Sequence, residues 1–122
     1  MFTCPPILPY FTPLPALTLQ GEANLGIPAW LAAVEADLDK ALASGTPIRQ
    51  VVMGRCCAID SMMEALFELY ELDQTDLTLF ATGGYGRGEL HPFSDVDLLL
   101  LSPNPIDETL NQKISPFVAR LW

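Results

Sequence analysis

The chain has 122 residues, half of them apolar, and a formal net charge of −9 at pH 7. This is enough chain and enough apolar surface for one domain with its own core. Its six basic residues are scattered, so the sequence lacks the basic patch that binds nucleic acid or an anionic membrane, and we expect neither partner.

Residues 1–27 are predicted to form a proline-rich arm. The segment is apolar, but it has no basic start and therefore does not resemble a signal peptide. Its prolines disfavour a continuous helix; they are Pro5, Pro6, Pro9, Pro13 and Pro15. No apolar run of the chain reaches the roughly 18 residues that a membrane-spanning helix needs. We therefore expect a cytoplasmic protein.

Residues 28–76 are predicted to be a helical region. Apolar side chains recur at the spacing of one helix face over residues 28–44, which predicts a first helix there. A second apolar stripe predicts another helix that starts at Pro47 and runs to about Leu72. A polar connection over residues 73–76 follows. The two helices are expected to form a hairpin.

Residues 77–122 contain the predicted sheet. Two segments favour strands, residues 77–82 and residues 95–101. The second segment carries four successive leucines, a pattern typical of a strand that is buried on both faces. We therefore expect an α/β or α+β fold, in which the N-terminal helical hairpin packs on the beginning of a small mixed sheet.

A last helix is predicted after the second strand. Asn104 suits its cap, Pro105 its first position, and the acidic residues Asp107 and Glu108 its first turn. Pro116 then either kinks this helix or ends it.

Two aspartates stand one residue apart at the start of the second predicted strand. Side chains at alternate positions of a strand point to the same face, with Cα atoms about 6.5–7 Å apart. Asp95 and Asp97 therefore share one face, where their charges repel each other unless a cation lies between them. Carboxylate oxygens are ligands that Mg²⁺ prefers, often together with substrate phosphates. The pair predicts a metal site.

A glycine cluster precedes the aspartates in the stretch GGYGRGELHPFSDVD, residues 83–97. Gly83 and Gly84 let the backbone turn sharply and approach a phosphate closely. Arg87 is suited to a bidentate phosphate contact, and Ser94 either caps the turn or bonds a phosphate. Glu89 occupies the position where a P-loop has lysine and a dinucleotide fingerprint has glycine, so neither motif fits. The remaining interpretation is a phosphoryl- or nucleotidyl-transfer site.

At these residues the sequence resembles the nucleotidyltransferase superfamily that includes DNA polymerase β. The shared motif is Gly-Gly after a strand, about ten residues, and then Asp-x-Asp on the next strand. Residues 81–101 more narrowly resemble the bacterial PII uridylyltransferase/uridylyl-removing enzymes, and the preceding AIDSMMEALFELYEL suits the same family. The resemblance implies transfer of UMP from UTP to a tyrosine of the PII nitrogen-regulatory protein, with release of pyrophosphate and with glutamine as effector.

The same resemblance implies roles for individual residues. Gly83 and Gly84 would hold the UTP phosphates, with Ser94 as a further contact, and Asp95 and Asp97 would bind two Mg²⁺ ions as the catalytic carboxylates. Arg87 and Glu89 belong to the motif, and whether Arg87 touches phosphate or holds the turn stays open. For His91, which precedes a proline in a tight turn, a structural role is favoured.

Three parts of such an enzyme are missing from these 122 residues. They are a third carboxylate on a later strand, the phosphohydrolase domain that removes UMP, and the domains that sense glutamine. The sequence therefore resembles a truncated enzyme in which residues 77–122 form an incomplete nucleotidyltransferase core, and we expect it to be inactive alone.

Two other functions remain open at this point. One is an adenylyltransferase that acts on glutamine synthetase, because the motif does not reveal which base is selected. The other is a non-catalytic module that binds a nucleotide or a protein. The chain is also able to associate with itself if the predicted sheet leaves an exposed edge.

Overall fold

The computed structural model describes residues 26–121. Helix α1 spans Gly26–Ala43 and helix α2 spans Ile48–Leu69, and the two pack against each other as the predicted hairpin. Helix α1 begins two residues before the predicted start, and residues 1–25 of the predicted arm lie outside the described residues. The buried face of α1 has the expected helical spacing; it consists of Trp30, Val34, Leu38 and Ala41.

Helix α2 ends at Leu69 and not at about Leu72 as predicted. Glu71 adopts a left-handed conformation, with φ of 55°, which stops the helix. A single 3-10 turn, Leu72–Gln74, follows and places Leu72 in the core with none of its surface exposed. The apolar spacing extended the prediction too far, because Leu72 is a core residue that the helix does not carry.

The sheet within the described residues consists of two antiparallel strands, β1 at Thr78–Ala81 and β2 at Leu98–Leu101. A short helical segment, α3 at Gly83–Gly86, lies in the connection between them. The core cluster is shared by the helical hairpin and the sheet. This is an α+β fold with the helices ahead of the strands, as predicted.

The four leucines of β2 are not buried on both faces. Leu98 and Leu100 pack against the core, whereas Leu99 and Leu101 are 49% and 53% exposed. Phe80 of β1, which pairs with Leu99, is likewise 45% exposed. The prediction is wrong because alternate side chains point to opposite faces, and the described helices cover only one of them.

The last helix, α4, spans Glu108–Leu121 and starts later than predicted. Its first turn is capped by Asp107, whose Oδ1 accepts a hydrogen bond of 2.8 Å from the backbone N–H of Leu110. The proposed cap at Asn104 with Pro105 in the first turn is therefore wrong, and the acidic residue that was assigned to the first turn is the cap itself.

Helix α4 packs on the C-terminal part of α2 through Phe117, which is 2% exposed. The Phe117 ring makes edge-on contacts with Phe67 and Tyr70, at centroid distances of 5.9 and 6.3 Å. No helix in residues 26–121 is long and apolar enough to cross a membrane.

Pro116 lies inside α4, which continues through it to Leu121. Proline removes one backbone hydrogen bond and crowds the preceding turn of a helix. Since Pro116 is exposed, we expect Pro116→Ala to raise the free energy of unfolding by about 1–2 kcal/mol, after the greater freedom of the unfolded chain is discounted. Urea denaturation checks this, with Ser115→Ala as the matched exposed control; an unchanged or lower stability would contradict it.

Candidate active site

The segment after β1 folds into a compact turn, residues 83–88, which we call the glycine turn. It starts at Gly83, whose φ of 58° reverses the extended path of Thr82. The backbone N–H of Gly86 donates to the Thr82 carbonyl at 2.8 Å, and Gly88, with φ of 72°, lets the chain leave the turn. The first amides of a helical turn have no carbonyl of a preceding turn to bond. The glycine turn therefore offers N–H groups at its beginning.

Asp97 lies directly against the start of the glycine turn. The Thr82 N–H donates to the Asp97 carbonyl at 2.9 Å, which extends the pairing of the two strands by one position. A Cβ atom built on Gly83 would stand 2.5 Å from Asp97 Oδ2. Glycine at position 83 is therefore required twice, for its left-handed backbone and for the space that the Asp97 carboxylate occupies.

Gly86 fits closely against the end of β1. A Cβ atom on Gly86 would lie 2.7 Å from the carbonyl oxygen of Ala81, a backbone atom that cannot move aside easily. Gly84 has more room, since the nearest atoms to its Cβ position are the Glu89 carbonyl oxygen at 3.5 Å and an Arg87 guanidinium nitrogen at 3.8 Å. The turn is thus packed onto the strand on one side and faces Arg87 on the other.

Asp95 and Asp97 are both exposed, while Val96 and Leu98 pack against the core. β2 starts at Leu98 and not at Asp95 as predicted, so neither aspartate lies in the strand and the shared face of their side chains stays a prediction. Among residues 26–121, no group of three or more metal-ligating side chains occurs. The aspartate pair, Asp95 and Asp97, thus contributes two carboxylates and no third from the described part of the chain.

Arg87 and Glu89 form an ion pair, with Nε 3.0 Å from Oε2. Their side chains are 65% and 59% exposed, and ion pairs at such sites are weak, so Arg87 is able to exchange Glu89 for another anion. The sequence left the role of Glu89 open, and in the structure it is the partner of Arg87.

Ser94 lies in the exposed turn that leads to the aspartate pair. Its backbone N–H donates to the His91 carbonyl at 3.1 Å, and the intervening Phe93 is fully exposed with a left-handed φ of 63°. The structure brings Gly83 and Asp97 together. Ser94 and Asp95 are exposed in the segment that leads to Asp97.

A buried hydrogen bond holds the glycine turn from below. The hydroxyl of Tyr85, which is 2% exposed, donates to Oδ1 of Asp60 in the middle of α2. Burial, with the Asp60 carboxylate beside it, raises the pKa of Tyr85 far above its usual value. Asp60 is 6% exposed, and its Oδ2 is buried without a hydrogen-bond partner among the described residues.

A second buried contact holds the segment that leaves the turn. Arg55, also on α2, donates from Nε and Nη2 to the two carboxylate oxygens of Glu35 on α1, at 2.7 and 2.8 Å. Its Nη1 donates to the carbonyl of Leu90 at 3.1 Å. The hydrogen bonds from Arg55 hold the pKa of Glu35 below its usual value.

These buried polar residues were missed from the sequence. Arg55 and Asp60 stand five residues apart within an otherwise apolar stripe of α2. Charged side chains are seldom buried unless they are paired, so their position in that stripe was a signal for a partner outside the helix.

Two cavities of about 310 and 300 Å³ lie away from the glycine turn, beside the residues that immediately precede β1. The first is lined by these residues together with Lys113 and Asp107, and the second by Met63 and Phe67. Neither includes the glycine turn or the aspartate pair. Phosphates and metal ions bind at exposed polar groups and need no apolar cavity, so the contact between Gly83 and Asp97 is the stronger candidate for the site.

Comparison with known proteins points to one family. Residues 62–121 match the nucleotidyltransferase domain. The chain is 54% identical over 125 residues to the bifunctional uridylyltransferase/uridylyl-removing enzyme of Psychrobacter sp. (strain PRwf-1), covering all of this chain and 14% of that protein. It is 44% identical over 93 residues to the protein of the same name from Acinetobacter baylyi, covering 76% of this chain and 10% of that protein.

The chain therefore spans about a seventh of the length of the first of these relatives. No solved structure matches it significantly.

Proposed function

Because this chain belongs to the nucleotidyltransferase domain family, we propose that its glycine turn and aspartate pair bind a nucleoside triphosphate together with divalent metal ions. The observation that supports the proposal is the contact between Gly83 and Asp97, in which the backbone of the glycine turn lies beside a carboxylate. Backbone N–H groups at such turns bind phosphate, and carboxylates bind divalent metal ions. The names of the relatives favour UTP as the nucleotide.

The donor set fits a hard divalent cation such as Mg²⁺. Asp95 and Asp97 supply exposed carboxylate oxygens, and Mg²⁺ commonly takes one or two carboxylates while phosphate oxygens and waters complete its shell. Asp95 and Asp97 would hold two such ions, whose positive charge would neutralise phosphate charge and favour loss of pyrophosphate.

The residues of this chain bind and orient the nucleotide. The N–H groups at Gly83 and Gly84 donate to phosphate oxygens, and Arg87 leaves its weak pair with Glu89 to contact the triphosphate. Ser94 is an additional donor beside Asp95. Asp95 and Asp97 are the proposed catalytic carboxylates because they would hold the metal ions that the reaction needs.

We propose for the whole protein the transfer of UMP to a tyrosine of the PII nitrogen-regulatory protein. The tyrosine hydroxyl loses its proton to solvent and its oxygen forms a bond with the α-phosphorus of UTP. The bond from that phosphorus to the oxygen that bridges to the β-phosphate breaks, and pyrophosphate leaves. Removal of UMP and the response to glutamine belong to other parts of that protein. With two site carboxylates among residues 26–121, the chain is expected to bind nucleotide without turnover.

Calorimetric titration of UTP into the chain, with and without Mg²⁺, tests the proposal. We expect Mg²⁺-dependent binding that Asp95→Asn/Asp97→Asn abolishes, because the double variant removes both metal-binding charges. Asp73→Asn/Asp76→Asn is the matched control, since it removes two exposed carboxylates at the far end of β1. Equal binding by both double variants would contradict the proposal, and a preference for ATP over UTP would favour an adenylyltransferase.

A further inference from the structure

The segment from the glycine turn to Leu90 is attached to α2 at two points. Near its beginning, the Tyr85 hydroxyl bonds Asp60, and at its end the Leu90 carbonyl accepts a hydrogen bond from Arg55. Tyr85 and Leu90 are each 2% exposed. Both attachments reach the same helix, five residues apart, so the helix sets the position of the whole segment.

The attachment at Asp60 is not what apolar packing alone would select. A buried carboxylate is costly, and here only one of its oxygens has a hydrogen-bond partner among the described residues. Replacing both members of such a pair by apolar groups of similar shape is often nearly neutral for stability. Apolar groups would not fix the orientation of the Tyr85 ring. The hydrogen bond between its hydroxyl and the Asp60 carboxylate does fix this orientation, and with it the position of the Tyr85 backbone.

The orientation of the Tyr85 side chain matters because Tyr85 lies inside the glycine turn. It directly follows Gly84, and its own carbonyl accepts the hydrogen bond of 3.0 Å from the Gly88 N–H. A shift of Tyr85 therefore moves the amides at the start of the turn relative to Asp97, which has no spare room beside Gly83. Arg55 holds the other end through Leu90 and is itself oriented by Glu35.

We propose that Asp60 is a positioning residue for phosphate binding, acting through Tyr85, with Arg55 as the second anchor of the same segment. The inference rests on the proposed function of the glycine turn. By analogy with groups that orient the ligands of a metal site, whose removal typically lowers metal affinity or activity by about 10–100-fold, we expect an effect of this order. Asp60 is thus expected to influence nucleotide affinity without touching the nucleotide.

The double variant Asp60→Leu/Tyr85→Phe tests whether the hydrogen bond positions the glycine turn or only stabilises the fold. It removes both polar groups together, so we expect the unfolding midpoint in urea to stay close to that of the wild type. Amide hydrogen exchange of Gly86, Gly88 and Glu89 is expected to become about tenfold faster or more, the effect of losing one hydrogen bond to a charged group. Mg²⁺-dependent affinity for UTP is expected to fall about tenfold.

Two single variants complete the design. Asp60→Asn keeps an oxygen that accepts the Tyr85 hydroxyl and should retain most of the affinity. Leu38→Ala, on the buried face of α1, should lower stability without selectively accelerating exchange in the glycine turn.

Unchanged exchange of the turn amides in the double variant would overturn the inference, as would a loss of affinity in Leu38→Ala equal to that in the double variant. The exchange measurement needs no nucleotide. If the turn amides respond as expected but the wild-type chain takes up no Mg²⁺-dependent UTP, the attachment is supported and the proposed function of this chain fails.

Discussion

Gly83→Ala is expected to weaken Mg²⁺-dependent UTP binding by about tenfold or more while the domain stays folded. The added Cβ would stand 2.5 Å from Asp97 Oδ2, so the carboxylate or the turn has to move. The left-handed backbone at position 83 adds about 1–2 kcal/mol of strain for a residue with a side chain. The metal-binding group and the phosphate-binding turn would thereby be separated. Titration of UTP with Mg²⁺ measures the loss, and urea denaturation measures the stability.

A matched control for this prediction is Gly45→Ala in the connection between the helices. Gly45 has φ of 92°, so alanine is strained there too, but nothing lies within 4 Å of its Cβ position. We expect Gly45→Ala to lose stability and to keep its affinity for UTP. Similar affinities in both variants would show that the crowding at Asp97 does not matter for binding.

The second large effect is expected at the half-buried ion pair between Arg55 and Glu35, and the two partners should differ in their effect on stability. The side chain of Arg55 is 6% exposed and that of Glu35 is 43% exposed. Glu35→Leu strands a buried guanidinium with one carbonyl as its remaining partner, which we expect to cost about 3 kcal/mol, the low end for such losses because water reaches the Glu35 side. Arg55→Met lets Glu35 return to water and leaves only the Leu90 carbonyl unpaired, for about 1–2 kcal/mol. Urea denaturation at pH 7 compares them.

The pH dependence gives this prediction an independent check. The pKa of Glu35 is lowered in the folded chain by the hydrogen bonds from Arg55, from an ordinary value of about 4.5. Its contribution to stability is therefore fully present above that value and is lost as the pH falls through the folded pKa. The stability difference between the wild type and Glu35→Gln should narrow below about pH 4.5. A difference that stays constant down to pH 3, or an Arg55→Met variant that is less stable than Glu35→Leu, would contradict the assignment.

The helical hairpin was predictable because its signal is local. Each helix repeats its apolar side chains at a fixed spacing, and the buried residues of α1 are the ones that the spacing selects. The same spacing could not place the end of α2, since Leu72 is apolar and buried but belongs to the turn that follows Glu71. The apolar spacing predicts that a side chain is buried, but it does not show whether the residue belongs to the helix or to the turn that follows.

Both strands of the sheet were predicted, but β2 begins three residues later than predicted, and the burial of both its faces was predicted wrongly. Alternation placed Asp95 and Asp97 opposite Val96 and Leu98, and in the structure both aspartates are exposed while the two apolar side chains pack against the core. The exposure of Leu99 and Leu101 depends on what packs over that face, which four leucines in a row do not reveal.

For the candidate site, the motif identified the glycines and aspartates but not their support. The contact between Gly83 and Asp97 joins positions 14 apart through the pairing of two strands, so spacing alone does not give it. The hydrogen bonds from the Tyr85 hydroxyl to Asp60 and from Arg55 to the Leu90 carbonyl join residues that are 25 and 35 positions apart. Tertiary partners of this kind depend on the whole fold.

The attachments of the glycine turn also set an order of events during folding. Arg55 and Glu35 are 20 residues apart in the sequence, whereas Asp60 and Tyr85 are 25 residues apart and Arg55 and Leu90 are 35 residues apart. The helical hairpin can therefore close while the rest of the chain is still leaving the ribosome, and longer loops close at a greater entropic cost. The Leu90 carbonyl then accepts a hydrogen bond from the Arg55 guanidinium, which Glu35 already holds in place. The glycine turn, which is the proposed nucleotide-binding part, is therefore expected to fold last, on a helical hairpin that has already formed.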